Sequence, residues 1–483
     1  MIQRKRGRES AFMIFGKKKN SRRNRITRGT LIAFICICVA LAGMFSIPGI
    51  SGSRSGDGAT AEAATKKEIR GVYLSFYEFE TLGMKDASKS RFIKKYDRFL
   101  KKAKKYGINT VYFHARAFND AMYRSKYYRA SKWITSKASK YRYAKDAFKS
   151  YDPLKVAINR THKKGMKLYA WLNPYRRSYD YFNDPAKAYS TKQIKKAVKE
   201  VLGYKVDGIV FDDYFYSARK GYKYKNSKGE MVKHKVSISA KKKRYYVNKM
   251  LKEVYAYSHK IKKNVPFGIS PAGNLDYCKS IGADVETWMS KKGYVDYVMP
   301  QIYWTDQWSN SGNVNMFSQR LKLFRSINKR KVDMPIALAL YRTGFYQSDD
   351  RGWNWSSYNL KKQVKKIRKA GLKGFVLFSG SDLFSSTSKK ELYHLKGYIK
   401  PVKAKSIRFT KKYVAVKKGK KKHLYVKFTP AYTNPKKVKY KSSNRNIARV
   451  SKKGVVRGLK RGKVKITVTT NNGRKATCTV RVK

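Results

Sequence analysis

Between residues 69 and 384 a short apolar run is followed eight times by a lysine-rich, amphipathic stretch. The runs fall at 69–76, 108–116, 166–173, 206–215, 266–273, 295–304, 334–344 and 373–380, and they end in polar or charged residues. Their length and composition predict strands. The segments between them, among them 91–106, 153–164, 241–263 and 360–370, carry apolar positions at helical spacing. Eight strand–helix units in about three hundred residues predict an α/β fold, the (β/α)8 TIM barrel, over residues 68–400. Such a barrel carries its chemistry at the C-terminal ends of its strands, so the pattern says where functional residues should lie.

From residue 406 the pattern changes to short alternating runs at 407–410, 413–416, 424–428, 438–442, 448–451, 455–459, 464–469 and 477–482. Turn residues separate them, which predicts a small all-β sandwich over 406–483. A linker around Pro401 joins the two parts, and the lysine- and serine-rich stretch 217–240 reads as a long insertion after the fourth strand.

Upstream, residues 1–30 are strongly basic and 31–48 are apolar, with Pro48 and Gly49 as a break. This is the order of a signal peptide or an uncleaved signal anchor, so export is expected, with the membrane as a partner for 31–48 if the segment is retained. Ala61, Glu62 and Ala63 offer a small-x-small cleavage site, and Met44 occupies the position a lipidated cysteine would take after Leu41, Ala42 and Gly43. Residues 49–67, rich in Gly, Ser and Ala, form a flexible linker.

Charge narrows the partners. The chain has 114 Lys and Arg against 29 Asp and Glu, a formal +85 in 483 residues. The excess is spread along the whole chain, so polyanions are attracted over every surface. Export removes nucleic acid as the expected partner and leaves anionic cell-wall polymers and acidic membrane surfaces. Cys36 and Cys38 lie in the apolar segment, while Cys278 and Cys478 lie in different domains, so no disulfide framework is expected. The six histidines and four cysteines show no metal-ligand spacing. No metal or other cofactor is expected.

The fourth strand-like run contains the densest chemistry. Alternation places Gly208, Val210 and Asp212 on the inner face, with Ile209 and Phe211 outside. Asp212 then faces the barrel mouth, and Asp213 sits at its rim or turns into the next loop. These carboxylates suit acid, nucleophile or electrostatic roles, or else cap the following loop. After the second strand, Arg116 stands at the strand end and Asp120 in the loop, as a second candidate acid or an ordinary turn residue. Asn173, Tyr175 and Arg176 end the third run, Gln301, Tyr303 and Trp304 the sixth, and Tyr341 belongs to the seventh. Glu78, just past the first, equally well starts a loop. Aromatic residues crowd these ends, including Trp171, Tyr175, Tyr214, Tyr303, Trp304 and Tyr341. Flat rings beside amides and carboxylates suit sugar rings, and some of these aromatics also suit core packing. No phosphate loop or Ser-His-Asp order is present.

Residues 69–72, 109–113, 120–123, 151–154, 171–176, 206–216, 267–271 and 296–304, in order through 68–400, resemble glycosyl-hydrolase-like family ten of bacterial envelope proteins. The resemblance implies action on peptidoglycan glycan strands, in some members strands stripped of stem peptides. It places an acidic motif on Asp207, Asp212 and Asp213, a loop acid on Asp120, and a sixth-strand motif on Gln301, Tyr303 and Trp304. The family's Gln and Pro near His114 and Ala117 are absent, and residues 243–248 only partly match its Arg-Arg-Asp-Asn run. A more distant similarity to chitinases appears at 207–209 and 299–303, where the chitinase acid would fall on Tyr214. Residues 440–444, 447–450, 454–458, Gly462 and 466–468 resemble the bacterial Ig-like group two domain, which implies attachment or spacing.

The expected protein is therefore an exported or membrane-anchored glycoside hydrolase of the cell envelope, with cell-wall glycan as substrate. Asp212 carries the main catalytic expectation, with Asp213 and Asp120 as partners. Arg116, Asn173, Tyr175, Arg176, Tyr214, Gln301, Tyr303, Trp304 and Tyr341 are the expected sugar contacts. The alternatives are a barrel that binds wall polysaccharide without cutting it and, from charge alone, a binder of nucleic acid or another polyanion.

Overall fold

A computed structural model describes residues 68–178, 182–216, 221–225, 231–235, 238–372, 374–399, 404–429 and 438–483. The basic segment, the apolar segment and the spacer expected over 1–67 lie outside the described residues, as does most of the linker around Pro401. Among the described residues no helix is long and apolar enough to cross a membrane.

Eight parallel strands are present: β1 (Ile69–Leu74), β2 (Thr110–Arg116), β3 (Lys167–Leu172), β4 (Gly208–Asp212), β5 (Phe267–Ser270), β6 (Tyr297–Val298), β7 (Ile336–Ala339) and β8 (Gly374–Phe378). They pair in the order β6-β5-β4-β3-β2-β1-β8-β7. Isolated parallel bridges from Tyr297 to Asp333 and from Gln301 to Ala337 join the two end strands, so the sheet closes on itself. The sixth run, expected over 295–304, is reduced to two ladder residues. Pro300 has no amide to donate, and pairing resumes only as bridges at Gln301.

Helices α1 (Lys89–Lys105), α2 (Pro153–Lys163), α3 (Ala188–Leu202), α4 (Ala240–Ile261), α5 (Met316–Ile327), α6 (Asn359–Lys369) and α7 (Lys389–Ile399) lie in the intervals between and after the strands. Their starts follow local chemistry. Ser88 and Ser239 cap α1 and α4, and Asp152 accepts from the Leu154 and Lys155 amides ahead of Pro153 at the first turn of α2. Within the expected insertion, Gly221–Lys225 and Met231–Lys235 pair as an antiparallel hairpin.

Two devices set the strand register. At the N-terminal ends, a side chain just before one strand accepts an amide near the start of its neighbour. Asn109 takes Arg70 N (2.9 Å), Asp207 takes Leu168 N (2.8 Å) and Asp296 takes Phe267 N (2.8 Å). Inside the barrel, Tyr73, Tyr112, Tyr169 and Tyr297 form a chain of ring contacts with centroids 5.4, 5.1 and 6.0 Å apart. Glycines make room for them: a Cβ on Gly208 would lie 2.2 Å from the Tyr169 ring, and one on Gly268 would lie 2.3 Å from that of Tyr297. Tyrosine and glycine thus share the inner layer as large and small partners.

Among the described residues nine strands follow from Ser406, in pairings of four, three and two strands, around a core that includes Ile407, Val456, Ile466, Val468, Cys478 and Val480. This all-β unit matches the alternating pattern, although strand Lys421–His423, with all three residues exposed, was not among the expected runs.

Gly208→Ala should destabilise the barrel by about 1–3 kcal/mol through overpacking against Tyr169, read as a lower midpoint in urea denaturation; an unchanged midpoint would show that the ring moves freely.

Candidate active site

At the C-terminal ends of the strands a cavity of about 330 Å³ opens, lined by residues from β1 through β8 and the loops that follow them. Asp212 ends β4 and is buried, as strand alternation requires. Its Oδ1 accepts from Gln301 Nε2 (2.9 Å) and from the Asp213 amide (2.9 Å). Gln301 Nε2 also donates to Ser270 O (2.9 Å), and the Ser270 hydroxyl receives Tyr73 OH at 2.7 Å. The tyrosine layer thereby supports the carboxylate from below.

Burial raises the pKa of Asp212, opposed by the Asp213 amide, the Arg176 charge and Gln301. Burial, then the charge of Asp212, pushes Asp213 well above the usual carboxylate range. The two carboxyl groups are in direct contact, and like charges so close cannot both ionise at low cost. Asp212, with three stabilising partners, is the more readily ionised of the two, and Asp213 the more readily protonated. Two adjacent carboxyl groups with opposite leanings at a cavity wall are the elements of acid–base chemistry.

Around this pair stand rings and cations. Arg176 lies over the Tyr214 ring at 4.0 Å and over Phe118 at 5.0 Å. His114 stacks on Trp171 with centroids 3.6 Å apart, and burial, then the Arg176 charge, holds its pKa well below the ordinary value, so the imidazole is neutral. Tyr303, Tyr341 and Phe378 contact one another edge-on or tilted, with centroids 5.8–6.0 Å apart. Trp304 completes that wall. Across the cavity, Arg342 Nη2 holds Asp349 Oδ1 and Gln347 Oε1, each at 3.0 Å.

Asp212, Asp213, Arg176, Tyr214, Gln301, Tyr303, Trp304 and Tyr341 therefore converge on one cavity. Four expected site residues do not. Asp120 Oδ1 accepts from the Ala117 and Phe118 amides (3.2 and 2.9 Å), so its carboxylate is used to close a turn. The guanidinium of Arg116 is buried on the Asn173 and Pro174 carbonyls and on Asn119 Oδ1, beneath the Tyr128 ring. Asn173 Nδ2 donates to Ala117 O (2.7 Å), and Tyr175 is fully buried near Phe215. All four brace the loops after β2 and β3. Asp207, part of the acidic motif, lies at the opposite end of β4, held by Leu168 N and His162.

Glu78 is also structural. It is fully buried and accepts from Ser75 N (2.7 Å), Ser379 Oγ (2.8 Å) and the Ser381 amide, tying the ends of β1 and β8 together. Asp382 takes the Ser379 amide and hydroxyl beside it. Burial, then the Asp382 charge, raises Glu78 from 4.5 to about 7. The cavity residues absent from the sequence expectations include Asp349, Arg342 and Gln347 after β7, with His114 and Tyr73 on the inner strand faces. The run 342–349 reads as an ordinary polar loop, whereas strand parity could have found Tyr73 and His114.

Because the folded pKa of Glu78 is raised, the folded state binds more protons between pH 4.5 and about 7, and stability falls as pH rises through that window. The contribution is on the order of 3 kcal/mol, absent below 4.5 and complete above the folded value. Glu78→Gln should flatten the plot of unfolding free energy against pH there; a parallel, merely displaced plot would contradict this origin.

The glycosyl hydrolase-like 10 family profile matches residues 68–178 and 175–355, and the bacterial Ig-like domain (group 2) profile matches 403–480. Glycosyl hydrolase DigH of Escherichia coli strain K12 is 28% identical over 315 residues, covering 53% of this chain and 68% of its own. Glycosyl hydrolase YngK of Bacillus subtilis strain 168 is 27% identical over 310 residues, covering 52% of this chain and 59% of its own. Among solved structures, the endo-1,4-β-mannanase of Rhizomucor miehei superposes with a TM-score of 0.46 at 10% identity, over 69% of this chain and 94% of that one.

Proposed function

The chain belongs to the glycosyl hydrolase-like 10 family, and from that premise we propose that it hydrolyses glycosidic bonds in cell-wall glycan strands, peptidoglycan in particular. The observation that carries the reading is the adjacent Asp212–Asp213 pair at the end of β4, lining a cavity walled by aromatic rings. The DigH and YngK relatives bear the name glycosyl hydrolase, which agrees with it.

In this reading a sugar ring lies against Trp304 and Tyr303, where C–H faces meet aromatic faces and polar edges take hydroxyls. Asp213, protonated, supplies the acid, and Asp212 stabilises the cationic character that develops at the anomeric carbon. The pair is in direct contact, whereas two flanking carboxyl groups that divide the work of retaining hydrolysis stand about 5–5.5 Å apart. Asp212 and Asp213 therefore act as one unit from one side of the sugar. Asp349 is a second carboxylate lining the cavity, held by Arg342 at 3.0 Å. Assistance by a substrate N-acetyl group is compatible with a one-sided pair.

The same proposal places the protein outside the cytoplasm, secreted or anchored through residues 31–48. Its +85 charge would hold it on anionic wall polymers, with the Ig-like unit as a spacer or attachment module.

Wild type and Asp212→Asn, incubated with peptidoglycan that keeps or lacks stem peptides, should differ in fragments released, read by mass spectrometry. The variant is expected to lose on the order of 10²–10³-fold in rate, as for removal of a preorganised electrostatic stabiliser. Binding of both proteins with no fragments from either substrate would instead favour a non-catalytic wall-binding barrel.

A further inference from the structure

On the outer wall of the barrel a second concavity, of about 420 Å³, lies along α3 and α4. Lys192, Lys195, Lys196 and Lys199 line it from α3, and Lys249 lines it from α4. The spacings from Lys192, of three, four and seven residues, put the α3 lysines on one face of that helix, in a track about 10 Å long. Five lysines against the single carboxylate of Glu253, a formal +4 among the described lining residues, are thus concentrated in one groove rather than diluted over a convex surface.

The acidic residues nearby do not neutralise it. Among the described residues Glu253 is the one carboxylate lining the groove, and it pairs with Lys195 at 3.7 Å. Glu200, next along α3, turns its carboxylate away to Ser125 Oγ (2.6 Å), Tyr123 OH (3.2 Å) and the Lys126 amide (2.7 Å). Among the described residues, no carboxylate lies within ion-pair distance of Lys192, Lys196, Lys199 or Lys249. Keeping these like charges together costs electrostatic energy that an anion filling the groove would relieve.

The aromatic lining indicates what kind of anion fits. Lys196 lies over the Tyr127 ring at 4.8 Å and Lys195 over the Tyr257 ring at 5.2 Å. Those two ring faces are taken by ammonium groups, and Tyr246, the third ring lining the groove, packs edge-on against Tyr245; one ring is not the row of platforms on which single-stranded nucleic acid stacks its bases. A concave track also fits a strand better than a flat bilayer. We infer that the α3–α4 groove is a binding site for an extended, base-free phosphodiester polymer, whose phosphates are taken by Lys192, Lys196, Lys199 and Lys249. The inference rests on the proposed attraction to anionic wall polymers for its partner class, but not on the glycosidase reading.

The test uses the full chain with K192Q/K196Q/K199Q/K249Q, and a charge-matched control with four exposed Ig-like-unit lysines replaced, K417Q/K418Q/K420Q/K421Q. The probe is poly(glycerol phosphate), with oligo(dT) and phosphatidylglycerol vesicles as parallel arms. The groove variant should bind the polymer at least about tenfold more weakly than wild type, while the control stays within about twofold. Its plot of log affinity against log salt should be shallower by about 0.7 per lost phosphate contact, as for flexible single strands. Equal weakening of the two variants, or no binding by wild type, would overturn the site. So would groove-dependent binding that is tighter for oligo(dT) or for vesicles. Fragment release from glycan, measured on the same proteins, separates the two readings: groove-dependent binding without turnover leaves this site standing and removes only the hydrolase assignment.

Discussion

The interior of the barrel has to be filled, and tyrosine rings opposite glycines do much of the filling. Tyr73, Tyr112, Tyr169 and Tyr297 contact in series across β1, β2, β3 and β6, while Gly71, Gly208 and Gly268 leave the space those rings occupy. Close packing of this kind tolerates little change in volume on either side. Tyr73 of that layer also lines the cavity. Two of the layer's hydroxyls are spent on the strands themselves, Tyr73 on Ser270 and Tyr297 on the Ile209 carbonyl at 2.9 Å. The Tyr73–Ser270–Gln301 connection then reaches Asp212, so the geometry of the acidic pair is inherited from the packing of the core.

That arrangement is costly for folding. Burial raises Asp212, Asp213, Glu78 and Asp382, and each buried carboxylate that must ionise at neutral pH opposes the folded state. The molecule handles the cost differently at the two places. Glu78 has three donors from the ends of β1 and β8 and closes the barrel there. Asp213 instead meets another carboxyl group, whose charge pushes its pKa further up. One cluster holds strands together, and the other lines the cavity.

Positive charge is equally uneven in its use. Some lysines and arginines pair locally, as Arg160 does with Asp97 and Arg368 with Glu68. Arg176 and Arg342 are drawn into the cavity wall, and the α3 lysines line a groove. A single net charge for the chain therefore contains at least three physical situations: paired, buried on aromatic faces, and clustered toward solvent.

The order of eight apolar runs was enough to identify the barrel, because a buried parallel strand needs a nearly continuous apolar stretch and its helix a 3.6-residue period. Alternation along β4 was enough to turn Asp212 inward. Local pattern also carried the all-β unit. It could not separate a carboxylate that closes a turn from one that faces a cavity, since Asp120 and Asp213 both follow a strand and differ only in what the fold brings beside them. Asp120 meets the amides of Ala117 and Phe118, whereas Asp213 meets Asp212. Nor could spacing unite Arg342 and Asp349, after β7, with Arg176, after β3, because those loops become neighbours only when the ring of strands closes. Periodicity is a property of a segment and is written in the residues that compose it; convergence is a property of the closed sheet, and only the tertiary structure decided it.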